Sequence, residues 1–215
     1  MSISESPNLR ISKSYFITGI GTDVGKTVVS AIVAEALNAT YWKPIQAGDL
    51  NQLDSGTVSS LTENVAILPE GITLSQPMSP HAAAKIDGVN LELSDFELPK
   101  VEGNLIVEGA GGIMVPINDD GLMIVDVIEK FQLPVILVSR HYLGSINHSI
   151  LTAAALHRKG VKIAGLVFVG EENKETESII LKITGTSVIA RIPEVSELSK
   201  EFILEQASKI KLQSV

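Results

Sequence analysis

A three-layer α/β fold, a mostly parallel sheet flanked by helices, is predicted by three features of the chain. Short aliphatic runs alternate with helix-length segments, as strand–helix crossovers require. Hydrophobic residues make up 45% of the sequence and aromatics only 4%. The core must therefore be built from Ile, Val, Leu and Ala, the composition of parallel strands buried on both faces. The length, 215 residues, suits a single domain over 1–215, with 1–12 and 212–215 as flexible ends.

Taken in order, residues 14–19 (SYFITG) read as a strand, followed by a glycine-containing loop and an alanine-rich helix near 26–38. A strand at 40–45 (TYWKPI) follows, then a polar loop and a helix around 55–64. The stretch 66–102 is irregular, because Pro69, Pro77, Pro80 and Pro99 cut it into short pieces. Pro80 precedes a helical HAAAKI run and suits its first turn. Alternation resumes with a strand at 104–108 (NLIVE), a glycine loop and a helix near 122–131. A strand at 134–138 (PVILV), a helix near 145–158, a strand at 162–169 and a helix near 174–184 come next. A short strand at 186–190 and a helix near 198–211 complete the chain. Ligands on such sheets sit at the carboxyl ends of the strands.

Composition excludes several function classes. The net charge of −8, with no cluster of Lys and Arg, argues against nucleic acid. There is no cysteine, hence no disulfide framework and no thiolate metal site. The N-terminal residues lack an apolar signal region and no apolar run approaches 18 residues, so a cytoplasmic protein with no membrane span is expected.

The strongest motif is Gly19-Ile-Gly-Thr-Asp-Val-Gly25-Lys26-Thr27, between a strand and a helix. Glycines let several backbone N–H groups face one anion, and the helix start adds its positive end. Lys26 then supplies a point charge to the outer phosphates, and the Thr27 hydroxyl a hard oxygen for Mg²⁺. The common spacing places glycine at position 20, here Ile20, with Gly19 and Gly21 on either side. The bland alternative is a tight strand–helix turn with a coincidental Gly-Lys-Thr.

A phosphate loop needs carboxylates to complete its Mg²⁺ site. Glu108 ends the NLIVE strand and opens Gly109-Ala110-Gly111-Gly112, so it is expected at a strand's carboxyl end; a solvated strand-end charge is the alternative. Asp54 precedes Ser-Gly and is equally well read as a helix cap. Lys43, in Trp42-Lys-Pro-Ile45, suits stabilisation of a migrating phosphoryl group or a substrate anion, but also an edge lysine reaching for water. In Leu143-Gly-Ser-Ile-Asn-His148, Gly144 and Ser145 suit a helix start, which could hold a substrate carboxylate; His148 is assigned no role.

Together these residues resemble the dethiobiotin synthetases, ATP-dependent ligases of the P-loop NTPase superfamily. The resemblance runs from Tyr15 to about Pro193 and rests on an ordered set. It comprises FITGIGTDVGKT, YWKPIQAG, the Asp54 region, Ser79-Pro80-His81, VEGAGG, LPVILV, LGSINH and Arg191-Ile192-Pro193. It implies that 7,8-diaminononanoate forms a carbamate with CO₂, that ATP phosphorylates it, and that the second amine closes a cyclic urea. Lys43, Lys26 and Thr22 would be the catalytic residues, Thr22 touching the carbamate. Thr27, Asp54 and Glu108 would hold Mg²⁺. Asp23 stands where the family usually has glutamate. Val24, Gly25, Val28, Gly109, Ala110 and Gly111 would complete the phosphate end of the nucleotide site. Gly144, Ser145 and Asn147 would receive the substrate's carboxylate tail across a homodimer interface.

Two departures follow from the same resemblance. Ala47 replaces a small hydroxyl residue, so a substrate contact there must use backbone. Val169, before Gly170, replaces an asparagine that reads the adenine edge; valine offers no such hydrogen bonds, leaving backbone around Ile192, Pro193 and Glu194. Weaker base discrimination is expected. The main alternative is a ParA/MinD-like switch ATPase, but that group carries an extra lysine where this chain has Gly21, and no basic amphipathic C-terminal helix is evident. A cobyrinate-type amidotransferase synthetase would need a glutaminase domain for which there is neither length nor cysteine.

Overall fold

The computed structural model describes residues 13–212, so the ends expected at 1–12 and 212–215, apart from Leu212, lie outside it. The elements are β1 (Tyr15–Gly19), α1 (Lys26–Leu37), β2 (Thr40–Trp42), β3 (Ile45–Ala47), α2 (Asp54–Leu61), β4 (Ala66–Ile67), β5 (Ile72–Leu74) and α3 (Pro80–Asp87). After a 3₁₀ turn at Leu93–Asp95 come β6 (Leu105–Gly112), α4 (Ile124–Phe131), β7 (Val135–Arg140), α5 (Ser145–Arg158), β8 (Ile163–Val169), α6 (Lys174–Thr184), β9 (Val188–Ile192) and α7 (Lys200–Ser208).

Seven strands form one sheet in the order β4-β2-β6-β1-β7-β8-β9. Every pairing in it is parallel. β1 is central and buried at every residue, because helices cover both faces of the sheet around it. α1 packs against β6, α2 and α7, while α5 packs against α6, β7 and β8. The expected α/β class and strand–helix alternation are thus found. Order in the sheet places the ends of β6, β1 and β7 side by side, where the motifs fall.

Several boundaries differ from the sequence reading, each for a local reason. The strand expected at 40–45 is two strands. β2 ends at Trp42, and the chain leaves the main sheet at Lys43-Pro44, whose carbonyls accept from the N–H groups of Gly71 and Ile72 at 2.9 Å each. β3 then pairs with β5 in a separate two-stranded sheet. The strand expected to stop at Glu108 instead runs through Gly112. Its glycines are not a loop: a Cβ on Gly109 would lie 2.8 Å from the Phe16 ring, so only glycine lets β6 pass β1 there.

Helix ends are set by caps that propensity does not reveal. α2 ends at Leu61, short of the expected 64, because the Glu35 carboxylate takes the N–H groups of Glu63 and Asn64 at 2.8 and 3.1 Å. α4 starts at Ile124, not 122, where the Asp126 carboxylate accepts from the Met123 N–H at 2.8 Å. α7 spans a shorter range than 198–211, opened by the Ser199 hydroxyl accepting from Phe202 N–H at 3.2 Å. β9 is displaced two residues from the expected 186–190. The proline-cut segment holds β4, β5 and α3, with Pro80 in the first turn of α3 as expected. Among the described residues no helix is long and apolar enough to cross a membrane.

Candidate active site

β1 delivers the chain into the loop that the glycines predict. Gly25 has φ +92° and is the residue before α1; a side chain would be strained in that conformation. Gly19 is fixed by packing, since a Cβ there would lie 2.4 Å from Val24 Cγ2. Gly21 has open space around it, so the close approach that needs glycine falls at position 19 rather than 20 or 21. Asp23, also at positive φ, is a residue type that tolerates it. The Lys26 ammonium folds back on the loop and donates to the Gly21 carbonyl at 2.9 Å.

At the foot of this loop stands a buried polar cluster. Glu108 is wholly buried in the middle of β6, paired in register with Ile17, and is not the solvated strand-end charge of the alternative reading. Its carboxylate accepts from three donors: Thr27 Oγ1 at 2.8 Å, Lys43 Nζ at 3.1 Å and Tyr41 Oη at 2.9 Å. Lys43 is only 4% exposed, which rules out an edge lysine reaching for water. Its ammonium bridges Glu108 and the Asp54 carboxylate, 2.5 Å away. Asp54 begins α2, but Leu53 holds the cap position, and the Asp54 carboxylate accepts from Lys43 and lies 3.2 Å from Thr27 Oγ1, whose proton goes to the nearer Glu108. Its side chain points into the site rather than capping the helix.

Electrostatics follow from this packing. Burial pushes the Lys43 pKa down, but the charges of Glu108 and Asp54 outweigh it and hold the ammonium above its ordinary value. Lys26 goes the other way: burial lowers it, Glu108 partly restores it, and the positive charge of Lys43 lowers it further. Both lysines line the same cleft. Tyr41 is pushed well above the usual phenol value by burial and by the Glu108 charge, so it remains a donor.

An open cleft of about 1170 Å³ lies over the cluster. One wall is the phosphate loop and first turn of α1, with Thr22, Asp23, Gly25, Lys26, Thr27 and Val28. Gln46 and Ala47 of β3, with Met78 and Ser79 before α3, also line it. Lys43, Asp54, Glu108, Ala110 and Gly111 complete the lining. A Cβ on Gly111 would sit 3.7 Å from Thr22 Oγ1, which puts that hydroxyl beside the end of β6. Two carboxylates and one hydroxyl converge here as hard oxygen ligands, the donor set suited to Mg²⁺. Among the described residues no group of three or more His, Cys, Asp or Glu is placed to hold a metal. A cation here would thus depend on the Thr27 hydroxyl.

Other expected residues lie elsewhere. Val24 is buried at 2% exposure under the loop, and Gly109 is buried against Phe16; neither lines the cleft. Val169, Gly170, Ile192, Pro193 and Glu194 sit at the ends of β8 and β9, beyond the phosphate loop and off the cleft. A Cβ on Gly25 would meet Val169 at 3.5 Å, so this region adjoins the loop. Gly144, with φ +108°, precedes α5; Ser145 is buried and Asn147 exposed, and none of the three lines the cleft.

Three participants were given no role in the sequence reading, although Tyr41 and Gln46 lie within its YWKPIQAG motif. Tyr41 is a strand residue whose hydroxyl reaches Glu108 only because β2 and β6 are neighbours. Arg140, at the end of β7, donates to the Asp23 carbonyl at 3.2 Å and pairs with Glu194 at 2.5 Å, tying the phosphate loop to the β9 end. Gln46 lines the cleft although it is 94% buried.

Comparison with known proteins fits this geometry. A family model described as an AAA domain matches residues 13–202. The ATP-dependent dethiobiotin synthetase BioD of Christiangramia forsetii is 51% identical over 201 residues, covering 93% of this chain and 96% of that protein. The protein of the same name from Cytophaga hutchinsonii is 48% identical over 201 residues, covering 92% and 97%. Among solved structures, a ParA family ATPase from Chlorobium tepidum aligns with TM-score 0.54 at 12% identity, over 92% of this chain and 98% of that one. MinD from Pyrococcus horikoshii, complexed with Mg-ADP, aligns with TM-score 0.54 at 16% identity, over 94% and 90%. At such identity these structures share the fold alone. A phosphate loop facing a buried Lys–Asp–Glu cluster and sequence identity along nearly the whole length agree: the chain belongs to the ATP-dependent dethiobiotin synthetase family.

Proposed function

We propose that this protein is the ATP- and Mg²⁺-dependent cyclo-ligase that forms the ureido ring of dethiobiotin from 7,8-diaminononanoate and CO₂, a step of biotin synthesis. One observation supports it most: a second lysine, Lys43, is buried between Asp54 and Glu108 in the same cleft as the phosphate-loop Lys26. The extra lysine of a ParA/MinD-like ATPase lies in the phosphate loop, at the position of Gly21, whereas here the second lysine follows β2 and stands between two carboxylates. Two converging cations suit a reaction in which a carboxylate-like acceptor and a phosphoryl group meet.

In the reaction, one substrate amine attacks CO₂ and loses a proton, giving a carbamate. A carbamate oxygen attacks the γ-phosphorus of ATP and ADP leaves. The second amine then attacks the carbamoyl carbon, loses a proton, and phosphate departs as the ring closes. The N–H groups of the phosphate loop and Lys26 hold the triphosphate. Thr22, opposite Gly111, is placed to touch the carbamate. Lys43 stabilises the carbamate and the phosphoryl group in flight. Thr27, Asp54 and Glu108 would hold Mg²⁺, which would neutralise charge on the phosphates. Tyr41 and Lys43 orient the Glu108 carboxylate.

The nucleotide base extends toward the ends of β8 and β9. There the Val169 carbonyl accepts from His141 N–H and the Gly170 N–H donates to Ile192, each at 3.0 Å. With those groups engaged, base recognition falls to the Pro193–Glu194 segment and discrimination is weak. The substrate tail is received by Gly144, Ser145 and Asn147 of a second copy. Support comes from Tyr142, Leu143 and Ile146, large apolar residues exposed around that turn. The chain acts as one ligase domain in the cytoplasm, with no nucleic-acid or membrane partner. The test is ADP release from MgATP and bicarbonate with and without 7,8-diaminononanoate. Release dependent on the diamine, and abolished in Lys43→Ala, is expected. Steady hydrolysis indifferent to the diamine would favour a ParA/MinD-like switch ATPase instead.

A further inference from the structure

We propose that Arg140 is a positioning residue for nucleotide binding, which holds the peptide between Asp23 and Val24 so that the Val24 N–H faces the phosphate-binding side of the loop. This inference deepens the reading of residues 19–27 as a phosphate loop and rests on it. Arg140 ends β7 and does not itself line the cleft. Its Nη1 donates to the Asp23 carbonyl at 3.2 Å, and its Nε meets the Glu194 carboxylate at 2.5 Å. A guanidinium is a rigid plane, so holding Nε on one partner fixes where Nη1 points. One side chain thus joins the phosphate loop, β7 and the segment after β9.

Peptide geometry carries this contact into the site. Among the described residues every peptide bond is trans, and in a planar trans peptide the C=O and N–H point to opposite sides. β7 and β6 flank β1 on opposite sides. A carbonyl turned toward the end of β7 therefore sends the Val24 N–H away from β7, to the side where Glu108 of β6 and Lys43 line the cleft. No backbone carbonyl among the described residues accepts from that N–H. The conformation needs holding, because Asp23 has φ +55°, in the left-handed region that disfavours side chains. Val24 is anchored by its buried side chain. Its N–H changes direction only by rotation of the peptide plane, the motion that the Arg140 hydrogen bond opposes.

The test is calorimetric binding of MgADP and of magnesium pyrophosphate, which has phosphates but no base, to the full chain. Arg140→Met is expected to weaken both by roughly tenfold, the scale of one hydrogen bond. Its melting temperature should hold, because the pair with Glu194 is half exposed and such pairs add little stability. Arg140→Lys keeps the charge without the planar fork and should stay weakened toward both probes. In ¹H–¹⁵N spectra the Val24 amide should shift on addition of MgADP in native protein and much less in Arg140→Met. Undiminished pyrophosphate affinity in Arg140→Met overturns the proposal, since the residue would then act on the base. Full recovery in Arg140→Lys overturns it in favour of charge alone, an equal Val24 shift in both proteins removes the peptide from the account, and a melting temperature that falls with affinity makes the role structural. If native protein binds neither probe, the phosphate-loop reading fails and this inference with it; native binding that the substitutions leave unchanged removes only the role of Arg140.

Discussion

Glu108 shows how much one residue's placement decides. A carboxylate wholly out of water is tolerated because Thr27, Lys43 and Tyr41 each donate to it. Buried ion pairs of this kind add little net stability, so the cluster is better explained by chemistry than by folding. Removing its cation should cost catalysis heavily: Lys43→Ala is expected to lower kcat by about a hundredfold or more, the range seen when one charge-stabilising donor is lost. Val169 makes the opposite case, a residue whose contribution is what it lacks. Its side chain is nearly buried beside Gly25 and offers no hydrogen bond. Comparable KM values for ATP and other triphosphates are expected of the native enzyme, and Val169→Asn should shift them toward ATP. Strict ATP preference in the native protein would refute this. The phosphate-loop lysine and threonine were legible because a fixed local pattern carries their mechanics. Tyr41, although inside the YWKPIQAG motif, was given no role, since its bond to Glu108 depends on β2 and β6 becoming neighbours.

The elements that hold the site depend on long-range caps. Glu35, in α1, is 6% exposed and closes the turn between α2 and β4 by accepting from Glu63 N–H, Asn64 N–H and the Asn64 side chain, the last at 2.6 Å. Burial raises its pKa, but these hydrogen bonds outweigh it and hold the carboxyl below the ordinary value. A folded-state pKa below the unfolded one contributes stability above the unfolded pKa, and that contribution disappears as pH falls through the folded pKa. Glu35→Ala should therefore destabilise by about 1–3 kcal/mol near neutrality. The gap in melting temperature between variant and native protein should narrow in acid, below the ordinary carboxylate range. A gap constant with pH would contradict the assignment. Such a cap joins residues 28 and 29 apart, so helix periodicity alone overran the end of α2. The break at Lys43-Pro44 and the glycine-rich end of β6 escaped notice for related reasons. Pro44 redirects a strand into a second sheet, and a glycine run reads as a loop unless the ring of Phe16 is known to lie against it.

At the scale of the molecule, the parallel seven-stranded sheet sets β6, β1 and β7 side by side, so motifs distant in sequence meet at one edge. The fold class and the phosphate loop were legible because strand–helix alternation and an aliphatic composition leave few architectures. The turn at Gly144, expected from the resemblance to receive a substrate tail across a homodimer interface, lies apart from the cleft of its own chain. The proposed second copy would bring that turn to the cleft. Leu143 is fully exposed, with Tyr142 and Ile146 beside it. Leu143→Asp is therefore expected to shift the protein toward monomer in sedimentation and to raise the KM for the diamine; an unchanged assembly would count against this interface. The central claim is tested most directly by supplying ¹³C-bicarbonate with MgATP and 7,8-diaminononanoate and weighing the product. Dethiobiotin carrying the label in its ring, with one ADP released per molecule formed, is the result expected. ADP release without labelled dethiobiotin would contradict the account.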